Sequence, residues 1–343
     1  FKTFSYTTET KKIVERMTTL NNGQNSTQLA LSEEDIQMII QYWIRIFHIK
    51  FGWINDLNVL VINYSKNIFM LDTFRSMSKL LKIFSGHTCC VCGIDYFTID
   101  DRQFLCSGSY DCTVCVWDVE TNKQIHLFHE HLDRVNCVKF SPYHYLKHHC
   151  NVICSSSDDG TIRFWDIKHN RQLQLLNGYT TYVYGIEFSS FNSGRYLCSG
   201  LHCKIIRLWD IETSEILHNF SGHENGVWCV DFSHNNNDNS NKSNNIGLIG
   251  GNGYTICSGS WDRTIRIWDI ETTKQSIIFN GHGHVVSRVK YGSNELGISG
   301  GTNTILSGSF DESVRLWDIR SGQQSQIFNG HTSYVYDVEY SPL

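Results

Sequence analysis

The chain has 343 residues, 41% hydrophobic and 13% aromatic, enough for a sizeable core in one large domain or two ordinary ones. Charged residues make up 18% and the formal net charge is −5, a balance that argues against general nucleic-acid binding, which leaves a basic footprint. No stretch reads as a signal peptide. Thirteen cysteines would suggest disulfides, but Cys89, Cys92, Cys137, Cys154, Cys198, Cys229 and Cys257 sit inside apolar strand patterns. The thiols therefore read as reduced and the protein as intracellular, cytoplasmic or nuclear. Phe1 in place of Met reads as the mark of a fragment.

Residues 1–31 are polar and rich in Thr and Asn, the composition of a flexible tail. Residues 32–53 read as an amphipathic helix. Ser32 before acidic residues is a helix start signal. Ile36, Ile39, Ile40, Trp43, Ile44 and Phe47 then follow helical spacing. The apolar run is too short to span a bilayer. Such a helix packs on the larger C-terminal part of the chain or docks on a partner.

From residue 54 onward the chain repeats itself. Trp-Asp pairs fall at 117–118, 165–166, 209–210, 268–269 and 317–318. Thirteen positions after each Asp stands His131, Tyr179, His223, His282 or His331. Seven positions before it stands Asp111, Asp159, Cys203, Asp262 or Asp311. These distances are fixed while the Asp-to-Asp period runs from 44 to 59, so a fixed unit carries one elastic loop. Within a unit, 135–140 alternates with period two, 254–260 and 265–270 are strand-like, 276–279 makes a fourth strand, and 261–264 is a tight turn. VLVINYSKNIFMLD (59–72) aligns with ILSGSFDESVRLWD (305–318) as a worn copy in which Leu71 replaces Trp and Ser65 replaces Asp. Four short strands per unit of about 45 residues is the pattern of a β-propeller blade.

The recurring GH, SGS-x-D and WD elements closely resemble the WD-repeat (β-transducin repeat) family. The resemblance implies an all-β propeller with six recognisable blades, or seven if the chain is truncated, preceded by a short N-terminal helix. Its closing blade would pair a strand at 333–341 with 58–64. The family also implies hydrogen-bonded clusters of His, Ser, Asp and Trp that staple each blade. The sets are His87, Ser107, Asp111, Trp117; His131, Ser155, Asp159, Trp165; His223, Ser258, Asp262, Trp268; and His282, Ser307, Asp311, Trp317. Ser109, Ser157, Ser260 and Ser309 share the strand phase, so the choice of serine stays open. Repetition around a ring argues against a hydrolytic triad, which needs one special site with an oxyanion hole. The copy with Tyr179 and Cys203 is expected to lack its staple and to be softer.

In this family partners often bind the face of the tight turns. The positions pointing there include Tyr110, Arg134, Asp158, Tyr182, Tyr184, His202, Trp228, Trp261, Phe310, Tyr334 and Tyr336, with Tyr64, Cys90, Cys92, Asn136, Gly226, Val285 and Ser287 completing three per blade. Half of the eighteen are Tyr, Trp or Phe, the residue types enriched at interface hot spots together with Arg. Insertions at 141–150, 233–253 and 292–303 are expected on the opposite face, and 234–245 is Asn-rich low complexity. The cysteines at 89, 90 and 92, and His144, His148, His149 and Cys150, lack the paired spacing of a structural zinc site. No Gly-rich phosphate loop is visible, so no cofactor and no catalysis is expected. The reading is a protein–protein interaction scaffold or adaptor. Its alternative is a substrate receptor of a ubiquitin ligase, because LSEEDIQMIIQYW (31–43) is faintly similar to the start of an F-box.

Overall fold

The computed structural model describes residues 82–99, 102–177, 181–233, 254–292 and 304–340. They form five four-stranded antiparallel sheets, each ordered as the strands follow in sequence. The first holds β1 (Val91–Ile99), β2 (Arg102–Ser109), β3 (Val114–Asp118) and β4 (Lys123–Phe128). The second holds β5 (Val135–Phe140), β6 (Val152–Ser157), β7 (Ile162–Asp166) and β8 (Arg171–Leu176). The third holds β9 (Val183–Phe188), β10 (Tyr196–Leu201), β11 (Ile205–Asp210) and β12 (Glu215–Ser221). The fourth holds β13 (Val227–Phe232), β14 (Thr255–Ser260), β15 (Ile265–Asp269) and β16 (Gln275–Phe279). The fifth holds β17 (Val286–Tyr291), β18 (Thr304–Ser309), β19 (Ser313–Asp318) and β20 (Gln323–Asn329).

Successive first strands lie against one another, β1 on β5, β5 on β9, β9 on β13 and β13 on β17. That is the blade order of a propeller, with β1, β5, β9, β13 and β17 innermost. The second strands of the second and third sheets are buried along their whole length, Val152–Ser157 and Tyr196–Leu201, with small serines among the apolar residues. The outer strand alternates, as in the e-i-e-i-e-B burial pattern of Arg171–Leu176. Between neighbouring sheets the apolar side chains interlock. Val114, Val116 and Phe128 of the first sheet meet Val135, Val138, Ile153 and Trp165 of the second, all at 3% exposure or less.

The innermost strands also carry charge inward. Glu187 Oε2 lies 3.0 Å from Lys139 Nζ and 3.3 Å from Lys290 Nζ, and Lys290 Nζ is 3.5 Å from Asp231 Oδ1. Burial opposes the Glu187 charge, but the two ammonium groups hold its carboxyl far below the usual range. Tyr291 N–H donates to Asp231 and Phe140 N–H to Asp95, each at 2.8 Å. Buried ion pairs add little net stability. Their effect here is to tie first strands of non-adjacent sheets, β9 and β17, across the interior.

The insertion at 141–150 carries a helix, α1 (Pro142–His148), begun by a proline at its first turn and ended by His149 at φ 51°. Residues 333–340, expected as part of a strand, have no ladder partner among the described residues. Val335 N–H nevertheless donates to Ser309 O at 3.1 Å. The expected tail and helix at 1–53, the partner strand at 58–64 and most of the insertions at 233–253 and 292–303 lie outside the described residues. So do the blade count beyond five and Tyr64.

Candidate functional site

Four polar chains run through the described sheets. In the first, the Trp117 indole N–H donates to Ser107 Oγ at 2.8 Å, Ser107 Oγ lies 2.8 Å from His87 Nε2, and His87 Nδ1 lies 2.9 Å from Asp111 Oδ2. In the second, the three distances through Trp165, Ser155, His131 and Asp159 are 2.7, 2.7 and 2.8 Å. Trp268, Ser258, His223 and Asp262 give 2.8, 2.7 and 2.7 Å. Trp317, Ser307, His282 and Asp311 give 2.8, 2.7 and 2.8 Å. An ionised carboxylate only accepts, so each imidazole proton sits on Nδ1 and Nε2 accepts from the serine hydroxyl.

The choice of serine is settled by the strand pleat. Ser107, Ser155, Ser258 and Ser307 enter the chains. Ser109, Ser157, Ser260 and Ser309, two residues on, each accept the N–H of the turn aspartate at 3.0–3.1 Å.

Each aspartate does more than meet its histidine. Its Oδ2 also accepts the backbone N–H after the histidine: Thr88, Leu132, Glu224 or Gly283. Its Oδ1 takes a hydroxyl two residues on, from Thr113, Thr161, Thr264 or Ser313, each at 2.6 Å. Burial alone would raise these carboxyls. Hydrogen bonds from Thr113, Thr88 N–H and His87 instead bring Asp111 down to about 2, and Asp159, Asp262 and Asp311 are held well below the usual range in the same way. Burial keeps the rings of His131, His223 and His282 neutral, with the neighbouring aspartate only partly opposing it.

The hydroxyl two residues after the aspartate was not singled out from the sequence, although D-x-[ST] stands in all four copies. Neither was the arginine four residues after it. Arg163, Arg266 and Arg315 reach Gln172, Gln275 and Gln324 at 2.5–2.7 Å. In the first sheet a buried Cys115 takes that place.

The third sheet is built differently. Leu201, fully buried, stands where the others have the turn-capping serine, and Ile205 stands where they have the hydroxyl. Cys203, at the aspartate position, is exposed. Tyr179 lies outside the described residues. Leu201 and Ile205 join the apolar cluster shared with the second sheet. At the other edge Arg195 clamps Asp210 with two bonds of 2.9 and 2.6 Å and reaches Glu212 at 2.6 Å, and Glu212 reaches Lys147 of α1 at 2.7 Å.

Sealed serines cannot act on a substrate. Ser155, Ser258 and Ser307 are fully buried and Ser107 is 3% exposed, each with its hydroxyl oxygen already accepting an indole N–H. A nucleophile needs an open approach and an oxyanion site. Among the described residues no group of three or more His, Cys, Asp or Glu could hold a metal ion. Burial keeps His144 neutral down to about 4, and its Nδ1 bonds to Ser141 Oγ at 2.8 Å.

The turn face carries a second constellation. The residue before each turn aspartate, or before Cys203 in the third sheet, donates its N–H to a carbonyl just ahead of the first strand: Tyr110 to Cys90, Asp158 to Arg134, His202 to Tyr182, Trp261 to Gly226 and Phe310 to Val285. The positions expected on one face thus lie side by side, and they divide into two halves. One half is polar. Arg134 sits over the Tyr110 ring at 4.8 Å, and Asn136 donates to Asp158 at 2.8 Å. The other half is aromatic. Tyr182 and Tyr184 pack on His202, Tyr184 stacks on Trp228 at 5.0 Å, and Trp228 meets Trp261 at 5.6 Å and Phe310 at 5.8 Å. Phe310 stacks on Tyr334 at 4.6 Å and meets Tyr336 at 5.2 Å. Tyr182, Trp261, Tyr334 and Tyr336 keep 40–66% of their surface in solvent. Val285 and Ser287, expected on the same face, are buried.

Comparison with known proteins agrees with this architecture. The family model described as the IFT122 first beta-propeller matches residues 48–343. Among solved structures, that of the computationally designed Ika8 protein is similar with a TM-score of 0.54 and 23% identity, over 75% of this chain and 67% of that one. At that identity the likeness speaks to the fold alone. No curated protein matches the sequence. A blade pattern of five described sheets, four of them with the same polar chain, and a family match that spans most of the sequence lead to one conclusion: the chain belongs to the IFT122 first β-propeller family, a WD40-type propeller domain.

Proposed function

We propose that the chain is a non-catalytic interaction scaffold, of the intraflagellar transport complex type, that holds partner proteins on the aromatic half of its turn face. The family is one of propeller scaffold domains, which supports protein partners as the ligand class. The observation that carries the site is the continuous run of rings from Tyr182 to Tyr336, several of them 40–66% exposed. Rings already packed on one another lose little freedom on binding, which is what interface anchors require. A net charge of −5 offers no basic footprint for nucleic acid. Among the described residues no helix is long and apolar enough to cross a membrane.

The test is a pull-down with the wild-type chain beside a variant carrying Tyr184→Ala, Trp228→Ala, Trp261→Ala and Phe310→Ala, with folding checked by circular dichroism. Proteins captured by the wild type should be lost from the variant. Full retention would place binding elsewhere on the molecule.

A further inference from the structure

The polar and aromatic halves of the turn face meet between the second and third sheets, and a carboxylate stands at the boundary. In the five described sheets the residue before the turn reads Tyr110, Asp158, His202, Trp261 and Phe310, so Asp158 is the acid among them. Asn136 fixes it in place. The Asn136 amide donates to Asp158 Oδ1 at 2.8 Å and to Val183 O, where β9 begins, at 2.9 Å. The carboxylate is thereby held beside Tyr182 and Tyr184.

Its charge is only partly met. Arg134 lies over the Tyr110 ring at 4.8 Å rather than on the acid. Among the described residues Asp158 makes no ion pair, and its Oδ2 accepts no hydrogen bond. Burial raises the Asp158 carboxyl, with the Asn136 bond and the more distant Arg134 opposing it incompletely. Asp133 adds a second negative charge nearby. Two carboxylates thus face one guanidinium.

The rings beside this acid are packed but not sealed. Tyr184 stacks on Trp228 at 5.0 Å and lies 6.1 Å from His202. Tyr182 lies 5.4 Å from His202 and keeps 45% of its surface in solvent. Burial first, then the Asp158 charge, push the Tyr184 hydroxyl up to about 12, so the ring stays neutral beside the acid. Neutral tyrosine rings offer a negative face to a cation. A guanidinium suits ring and carboxylate together, because it is planar, weakly hydrated and carries several N–H donors, whereas an ammonium is a strongly hydrated point charge. Arg134 on Tyr110 already shows the chain placing a guanidinium on a ring of this face.

We infer that this boundary takes an arginine side chain of the partner protein, with Asp158 accepting from its guanidinium and the Tyr182 and Tyr184 rings flanking it. The inference rests on the turn face being the partner site and adds the charge that the partner brings. Charge complementarity of this kind selects among partners more than it adds affinity.

The test titrates the full chain with N-acetyl-arginine amide, read by saturation-transfer NMR, beside N-acetyl-citrulline amide, a neutral isostere. Arginine amide should bind about ten-fold more tightly than citrulline amide, and Asp158→Asn should weaken it about five-fold. Asp133→Asn, which removes the same charge away from the boundary, should leave binding within about two-fold. Circular dichroism checks that both variants are folded. Equal binding of the two amides, or equal losses in Asp133→Asn and Asp158→Asn, would overturn the arginine site. Its failure and that of the broader reading are distinguishable. If the amides bind equally while the four-residue aromatic variant loses its captured proteins, the face binds partners but not through arginine. If arginine amide shows the expected preference while those proteins are retained, the arginine site stands and the aromatic run is not what holds them.

Discussion

The third and fourth sheets share a register and a buried tryptophan but hold their turns in different ways. In the fourth, Asp262 ties His223, Thr264 and the Glu224 N–H into one hydrogen-bonded unit. In the third, Leu201 and Ile205 fill the corresponding strand positions, and Cys203 faces solvent. The pair teaches that a blade turn can be fixed by fully paired polar groups or by apolar packing. Burying polar groups without partners is the costly arrangement. Replacement of the aspartate by Cys203 is accordingly accompanied by Leu201 and Ile205 in place of the turn serine and the hydroxyl, while Ser199 stays buried at the position of Ser258.

This contrast can be broken by substitution. Leu201→Ala removes a fully buried side chain and should cost about 2–5 kcal/mol in chemical denaturation. Asp262→Ala leaves the buried imidazole and Thr264 hydroxyl without their acceptor and should cost about 1–3 kcal/mol. If Asp262→Ala proves the more damaging, polar pairing outweighs apolar packing even where both are complete.

Acid should separate the two sheets next. His223 is kept neutral in the fold with a pKa below the usual 6.5, so the unfolded chain takes up the proton first. Stability from this group is present above about pH 6.5 and falls as the pH drops below it. Asp262, held below its ordinary 3.8, adds a further loss once the pH falls below about 4. Amide protection of Thr255–Ser260 and Ile265–Asp269, corrected for intrinsic exchange, should therefore fall more on acidification than that of Tyr196–Leu201 and Ile205–Asp210. Equal losses would mean that the histidine does not sense the folded state. The smallest effect is expected for Cys203→Ala, an exposed position, at about 0.5 kcal/mol or less in thermal melts. A loss near that of Asp262→Ala would show that the thiol has taken over the aspartate's role.

The polar chains were legible because their members recur at fixed distances. His131 and Asp159 are far apart in sequence and their separation varies between copies, but His131, His223 and His282 each stand thirteen residues after a Trp-Asp aspartate, and Asp159, Asp262 and Asp311 each stand seven before the next one. The Arg–Gln pairs escaped notice because each lies on the pleat of two neighbouring strands, and only the register of β7 on β8 brings Arg163 to Gln172. The left-handed residue after each turn aspartate was equally hidden. Gly160 announces itself, but Cys112, Arg263 and Glu312 adopt φ of 67–69° without being glycine. The helix in 141–150 escaped because Pro142 reads as a break when it stands alone, whereas it also suits the first turn of a helix.

By itself the sequence determined the repeat, the strand phases, the turn positions and which serines, histidines and aspartates could meet, because these arise from local periodicity and fixed spacing. Only the tertiary structure decided which serine of each pair enters the chain and that the turn face divides into a polar and an aromatic half. Those outcomes depend on pleat direction and on the packing of sheet against sheet, and neither is written in any single repeat.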